Sequence, residues 1–225
     1  MITMHEWKEM CGIEQTLWLE ENCHASKSSL SRRGTLHGVG VNDTSYCATP
    51  IVGGKQVMCP AYKAWQNMLS RAYSDKIHAR YPTYIGVTVC KEWHSFMAFR
   101  KWWMEHQVGG YHLDKDILGD SLEYSPNTCL FVPQWLNKFT NDHGAARGEW
   151  PIGVHFNKSA GRLHAQCSNP LTGKREHLGL FDTPDGAYLA WMARKLELAL
   201  ELKPLMDAID LRIYTRMIEL SRNAK

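Results

Sequence analysis

The chain has 225 residues, 44% of them hydrophobic and 22% charged, the balance of a folded globular protein, which excludes a disordered tail, a collagen-like repeat and a coiled coil. Lys and Arg number 26 against 23 Asp and Glu, a formal net charge of +3 with eleven histidines in reserve, too slight to imply a nucleic-acid partner by itself. No apolar run approaches the roughly 18 residues that span a bilayer, and Glu6 and Glu9 stand where a signal peptide needs a basic and then an apolar stretch, so the expectation is a cytoplasmic protein with no membrane partner.

Residues 1–58 open with helical spacing at Trp7, Met10, Leu17 and Leu19, then turn polar and Gly-rich from Ser26 to Gly54. They read as an N-terminal helix followed by a basic, irregular arm. A helix-turn-helix over residues 5–33, with Ser28, Ser29, Arg32 and Arg33 on an exposed helix, is the alternative to a solvated linker.

Residues 59–142 carry most of the aromatics. Tyr62, Trp65, Met68, Leu69 and Tyr73 recur at three- and four-residue steps, as do Trp93, Phe96, Phe99 and Trp103; at that spacing they are core, not base-stacking platforms. YPTYIGVTVC reads as a turn and a short strand. HLDKDILGDSLEYSPNTCLFVPQWLNKF reads as two short apolar pieces around a polar turn, with a helix starting near Pro133.

Over residues 147–203 the pattern changes. PIGVHFNKSAGRLHAQCS holds two alternating runs split by a turn at 158–161, and a second turn at 170–174 leads into REHLGLFD. Thr183 is a good N-cap with Pro184 at the first helical position, and Ala187, Leu189, Ala190, Ala193, Leu196, Ala199 and Leu200 form an apolar stripe. The expectation is a three-stranded antiparallel sheet on one helix. Pro204 is expected to interrupt, so 204–225 reads as a separate amphipathic helix with Arg212, Arg216 and Arg222. The fold class is α+β.

Seven cysteines, an odd count without any C-x-x-C pair, read as reduced thiols. Cys59, Cys90 and Cys129 with His94 come nearest to a zinc set, but scattered singly they read as small buried side chains, and structural zinc is not expected.

In the last sheet, Arg162, His164 and Gln166 share one strand face, while Val154 and Phe156 lie opposite His155 and Asn157. Lys158, Lys174 and Arg175 sit at hairpin turns, where long cations reach phosphates. Residues 147–181 hold five Lys or Arg, including Arg147, against two Glu. An ordinary basic sheet face would look the same.

GVHFNKSAGRLHAQ followed by HLGLFDTPDGAYLAWMARKLEL, about fifty positions, resembles the ERF/Apetala DNA-binding domain that also accompanies phage endonucleases. The resemblance implies a sheet laid in the major groove of double-stranded DNA, with Arg147, Lys158, Arg162, His164, Gln166, Lys174, Arg175 and His177 as the DNA-binding set. CPAYKAWQNMLSRAYS, YPTYIGVTVCKEWHSFMAFRKW and LDKDILGDSLEYSPNTCLFVPQWLNKF, about eighty positions, resemble phage HNH-type homing endonucleases. That resemblance implies a degenerate ββα-metal unit cleaving phosphodiester bonds with Mg²⁺ or Mn²⁺, Asp114 and Asn137 as metal ligands and Asn127 as the loop's brace.

The departure from that pattern is Lys115, where the family has its general-base histidine; a lysine with the usual pKa of about 10.4 is protonated at neutral pH. Asp116, His112, His94 or His143 could take the role, or Lys115 itself with a lowered pKa, or Lys115 could instead neutralise a phosphate. The plainer account of Asp114, Lys115 and Asp116 is a surface strand with local ion pairs. Two functions follow: a metal-dependent DNA endonuclease in a bacterial host's cytoplasm, or a catalytically inactive DNA-binding regulator or host-protein-binding module. A homodimer through the C-terminal helices is left open.

Overall fold

The computed structural model describes residues 2–119, 121–140 and 149–223. It is an α+β protein, 48% helical and 19% strand. The chain divides into two compact units, Met1–Asp116 with Asp120–Phe131, and Ile117–Gly119 with Val132–Lys225.

The first unit opens with α1 (Met4–Glu9), α2 (Gly12–Asn22) and α3 (Lys27–Ser31). Each start is written in the sequence. Thr3 accepts from the Glu6 N–H while Glu6 reaches back to the Thr3 N–H at 2.8 Å, and Cys11 and Glu14 repeat this reciprocal capping before α2. A small hairpin, β1 (Ile51–Val52) with β2 (Lys55–Gln56), precedes α4 (Pro60–Tyr73) and α5 (Asp75–Arg80). After β3 (Thr88–Val89) comes α6 (Phe96–His106), started by the Ser95 hydroxyl accepting from the Ala98 N–H at 3.0 Å. β4 (His112–Asp114), β5 (Glu123–Tyr124) and the first two residues of β6 (Leu130–Val132) complete the unit; β5 runs parallel to β3 and β4 pairs with β6.

The core of this unit is Trp65, Trp93, Phe96, Phe99, Met68 and Leu69, all sealed from solvent. The aromatic helices are therefore core, as their spacing predicts. Residues 1–58 differ from expectation: Trp7, Leu19, Tyr46 and Val52 belong to the same core. The polar stretch holds itself together, because the Arg33 guanidinium donates to the carbonyls of Asn42, Thr44 and Tyr46. Asp43 ties it to the start of α6, accepting from the Ser95 hydroxyl at 2.6 Å and the Met97 N–H at 2.9 Å. Arg33 is thus spent inside the fold and not offered to a phosphate, and no boundary falls at residue 58. The expected 59–142 unit is also divided, between Phe131 and Val132.

The second unit contains α7 (Gln134–Thr140), β7 (Val154–Asn157), β8 (Arg162–Asn169), β9 (Lys174–Phe181), α8 (Pro184–Asp207) and α9 (Arg212–Asn223). The strands form an antiparallel sheet in the order β7-β8-β9, as read from the alternation. Val154, Leu163 and Ala165 pack against Ala187 of α8, and the Thr183 hydroxyl caps that helix by accepting from the Gly186 N–H at 3.2 Å. Gly153 has φ +74°, and a Cβ built there would lie 2.0 Å from the Trp191 ring, so only glycine fits between strand and helix.

Pro204 does not end α8, which runs on to Asp207; the break falls between Ala208 and Leu211. The N–H that proline lacks would have bonded the carbonyl of Leu200, and both Leu200 and Pro204 lie on the exposed side of the helix. Leu202 and Met206, on either side of the proline, are fully buried, and this packing carries the helix through.

Candidate nucleic-acid interface

The pleat sorts the side chains of the second unit's sheet. Leu163, Ala165, Cys167 and Asn169 of β8 are buried toward the helix, which places Arg162, His164, Gln166 and Ser168 on the opposite, open face. The register sets His155 across from His164 and Asn157 across from Arg162 on β7. On β9 it sets His177 across from Gln166 and Arg175 across from Ser168. An irregularity at Ala165/Gln166 opposite Gly179, whose φ is +124°, shifts β9 so that His177 also meets His164.

Three imidazoles therefore form a row across three strands. His164 Nδ1 lies 2.7 Å from His155 Nε2, and His164 Nε2 is bonded to His177 Nδ1. Because His164 uses its two nitrogens on two different partners, the row is a hydrogen-bonded chain. With all three rings neutral every bond has one donor and one acceptor, and a single extra proton on His164 makes it donor to both neighbours. Burial, then the facing rings of His155 and His177, hold the His164 pKa below its ordinary value.

The other expected DNA-binding residues are placed as follows. Arg162 is bidentate to Asp182, at 2.7 and 3.1 Å, so its charge is matched. Lys158 stands in the β7–β8 turn, which the Asn157 side chain shapes by accepting from the N–H groups of Ser159 and Ala160 at 3.1 Å. Arg175 is on the open face and has no ion pair among the described residues. Lys174, across from Asn169, alternates toward the helix side, away from the face it was expected to share. Arg147 and His143 lie outside the described residues.

The helix side holds groups that sequence reasoning did not single out. Glu176 accepts from Arg194 at 2.6 Å and from the Asn169 amide at 2.6 Å, and these partners hold its carboxyl down at about 2. Lys195 donates to the Phe139 carbonyl and lies 3.7 Å from the centre of the Phe139 ring; burial pulls its ammonium down to about 8. One residue apart in an alanine-rich helix, Arg194 and Lys195 carry no motif; only the register of β9 reveals their partners.

Of the expected metal-site residues, Asp114 ends β4 and accepts from the Asp116 N–H at 2.8 Å. Lys115 is buried, its ammonium paired with the Asp116 carboxylate, donating to the Ser121 carbonyl at 3.1 Å and lying over the Tyr124 ring. The lysine at the position that the resemblance gives to a general base thus has three partners. His112 is exposed on the strand face of Asp114. Asn127 is exposed in the β5–β6 turn, and the turn is held instead by Thr128, whose hydroxyl donates to the Glu123 carbonyl at 2.7 Å and accepts from the Ser125 N–H at 3.0 Å. Asn137, the fourth residue of α7, belongs to the second unit, whereas Asp114 belongs to the first. Among the described residues no three His, Cys, Asp or Glu side chains gather as a metal-holding group.

No helix of the described residues is long and apolar enough to cross a membrane. No family model matches the chain, and neither a curated protein nor a solved structure gives a significant match.

Proposed function

We propose that this protein binds double-stranded DNA through the open face of the β7-β8-β9 sheet. The observation that carries the reading is the row His155–His164–His177 flanked by Gln166, Ser168 and Arg175 on one face, a set of donors, acceptors and one guanidinium without an ion pair among the described residues, on a surface of the kind that enters a major groove. Arg175 and Lys158 supply phosphate contacts at the ends of strands, and Gln166 and the histidines supply hydrogen bonds to base edges. Arg162 acts through Asp182, with which it forms a bidentate pair, and so contributes position more than charge.

Metal-dependent cleavage by the strand-strand-helix order β4, β6 and α7 is the second reading, supported by that order and by Asp114 and Asn137 within it. Among the described residues no three His, Cys, Asp or Glu side chains gather as a metal-holding group, and the Lys115 ammonium is paired with Asp116. The test is fluorescence anisotropy of a labelled duplex with the chain and with Arg175→Ala, beside a supercoiled plasmid held with Mg²⁺, Mn²⁺ or EDTA. Binding weakened by Arg175→Ala, with plasmid left intact in every metal, supports a non-cleaving DNA-binding protein. Metal-dependent nicking abolished in Asp114→Ala supports the nuclease, and absence of duplex binding overturns both.

A further inference from the structure

A cavity of about 780 Å³ opens in the second unit just before the start of β7, where the last residues of β8 have no strand partner on that side. Its size is that of a small-molecule site. Four cations line it, Lys138, Lys174, Arg175 and Lys195, together with the rings of Trp135 and Trp150, and no described residue of the lining carries a carboxylate. Lys195 is the innermost of these charges. It is held by one carbonyl and by the faces of Phe139 and Trp191, 3.7 and 5.9 Å from the ring centres, with no acidic partner among the described residues. An ammonium taken out of water without an anion is costly, and the nearest carboxylate on that side of the sheet, Glu176, is already occupied by Arg194 and Asn169.

We infer that this cavity is a binding site for a nucleoside monophosphate, its phosphate taken by Lys195 with Lys174 and its base lying against Trp150 and Trp135. Four cations without an acid fit a phosphate dianion better than a monocarboxylate, and two indoles fit a planar ring. Ser168 and Gln166 near the open end of β8 offer donors and acceptors to the base or sugar. The cavity shares Arg175, Gln166 and Ser168 with the open sheet face, whereas Lys195 and Lys174 belong to the cavity alone, so variants at these two lysines separate mononucleotide binding from duplex binding.

The experiment titrates dAMP, dGMP, dCMP and dTMP into the full chain, with inorganic phosphate and the corresponding deoxynucleosides as separate arms. Tryptophan fluorescence and the shift of the unfolding temperature are read together. At least one mononucleotide is expected to quench fluorescence saturably and raise the unfolding temperature more than phosphate or nucleoside alone at the same concentration. Lys195→Met is expected to weaken it by about tenfold, the loss of one charge-assisted contact, while folding as well as the parent because an unpaired buried charge has been removed. Lys174→Gln, at the rim, weakens it less and serves if Lys195→Met does not fold. No saturable response to any mononucleotide, a response equalled by phosphate alone, or one unchanged in both variants overturns the inference. Duplex anisotropy on the same samples separates this result from the fate of the sheet face.

Discussion

His155 Nε2 and His164 Nδ1 lie 2.7 Å apart across the β7–β8 ladder, and His164 turns its other nitrogen to His177. Burial and the two neighbouring rings favour the neutral form of His164. A DNA phosphate favours the protonated form of His164, so its pKa rises on binding and DNA brings a proton with it. Duplex affinity is predicted to strengthen as pH falls from 7.5 toward 6, with a slope of at most about one proton per complex. His164→Gln keeps a polar side chain and breaks the chain; its affinity should be nearly flat over that range. Anisotropy titrations at five pH values check this, and an equally steep profile in His164→Gln contradicts it.

The same group acts on folding with the opposite sign. The folded-state pKa of His164 is lowered by burial and by its histidine neighbours, so below about pH 6.5 the unfolded chain binds the proton more readily. The second unit should lose stability as pH falls through that region in the absence of DNA, and His164→Gln should remove part of the loss. Urea unfolding at pH 7.5 and 5.5 measures it.

Glu176 sets a lower acid limit. Its carboxyl is held at about 2 by Arg194 and Asn169, a depressed value, so its contribution is present above the ordinary carboxylate range and disappears as pH falls through about 2. Glu176→Gln should flatten the stability profile of the second unit between about pH 4.5 and 2; an unchanged profile by circular dichroism contradicts the pairing.

Gly153→Ala should destabilise the second unit by more than about 2 kcal/mol, since the new methyl meets the Trp191 ring and φ is +74°. Denaturant unfolding followed by tryptophan fluorescence reads the change. A loss below about 0.5 kcal/mol, the scale of an ordinary surface substitution, would show that Trp191 can move aside.

Legibility in the sequence followed periodicity. The β7, β8 and β9 strands alternate over four to eight residues and α8 starts on Thr183-Pro184, so sheet, helix and open face were readable from the chain. Residues 26–54 were not, because their structure rests on Arg33 gathering three distant carbonyls and on Tyr46 entering a core built by α4 and α6; no local pattern encodes either. Pro204 misled for a related reason: burial of Leu202 and Met206 outweighed one missing hydrogen bond. At the candidate site, the alternation places His164 on the open face and His177 enters only through the family resemblance; their contact depends on the irregularity opposite Gly179. Lys174 was assigned by its nearness to a turn, whereas the register turns it the other way. Thr128, which braces the turn expected of Asn127, could have been suspected from the S-x-x-T spacing at Ser125.

The most direct measurement of the central claim is the dependence of duplex affinity on salt. Binding by the sheet face through Arg175, Lys158 and a partly protonated histidine row predicts a fall of log K with log salt of slope about −2 at pH 7.5, steepening toward −3 at pH 6, as about two and then three phosphates are neutralised. Arg175→Ala should make the slope shallower by about one. A slope near zero, or one that neither pH nor Arg175→Ala changes, would contradict the assignment of DNA binding to this face.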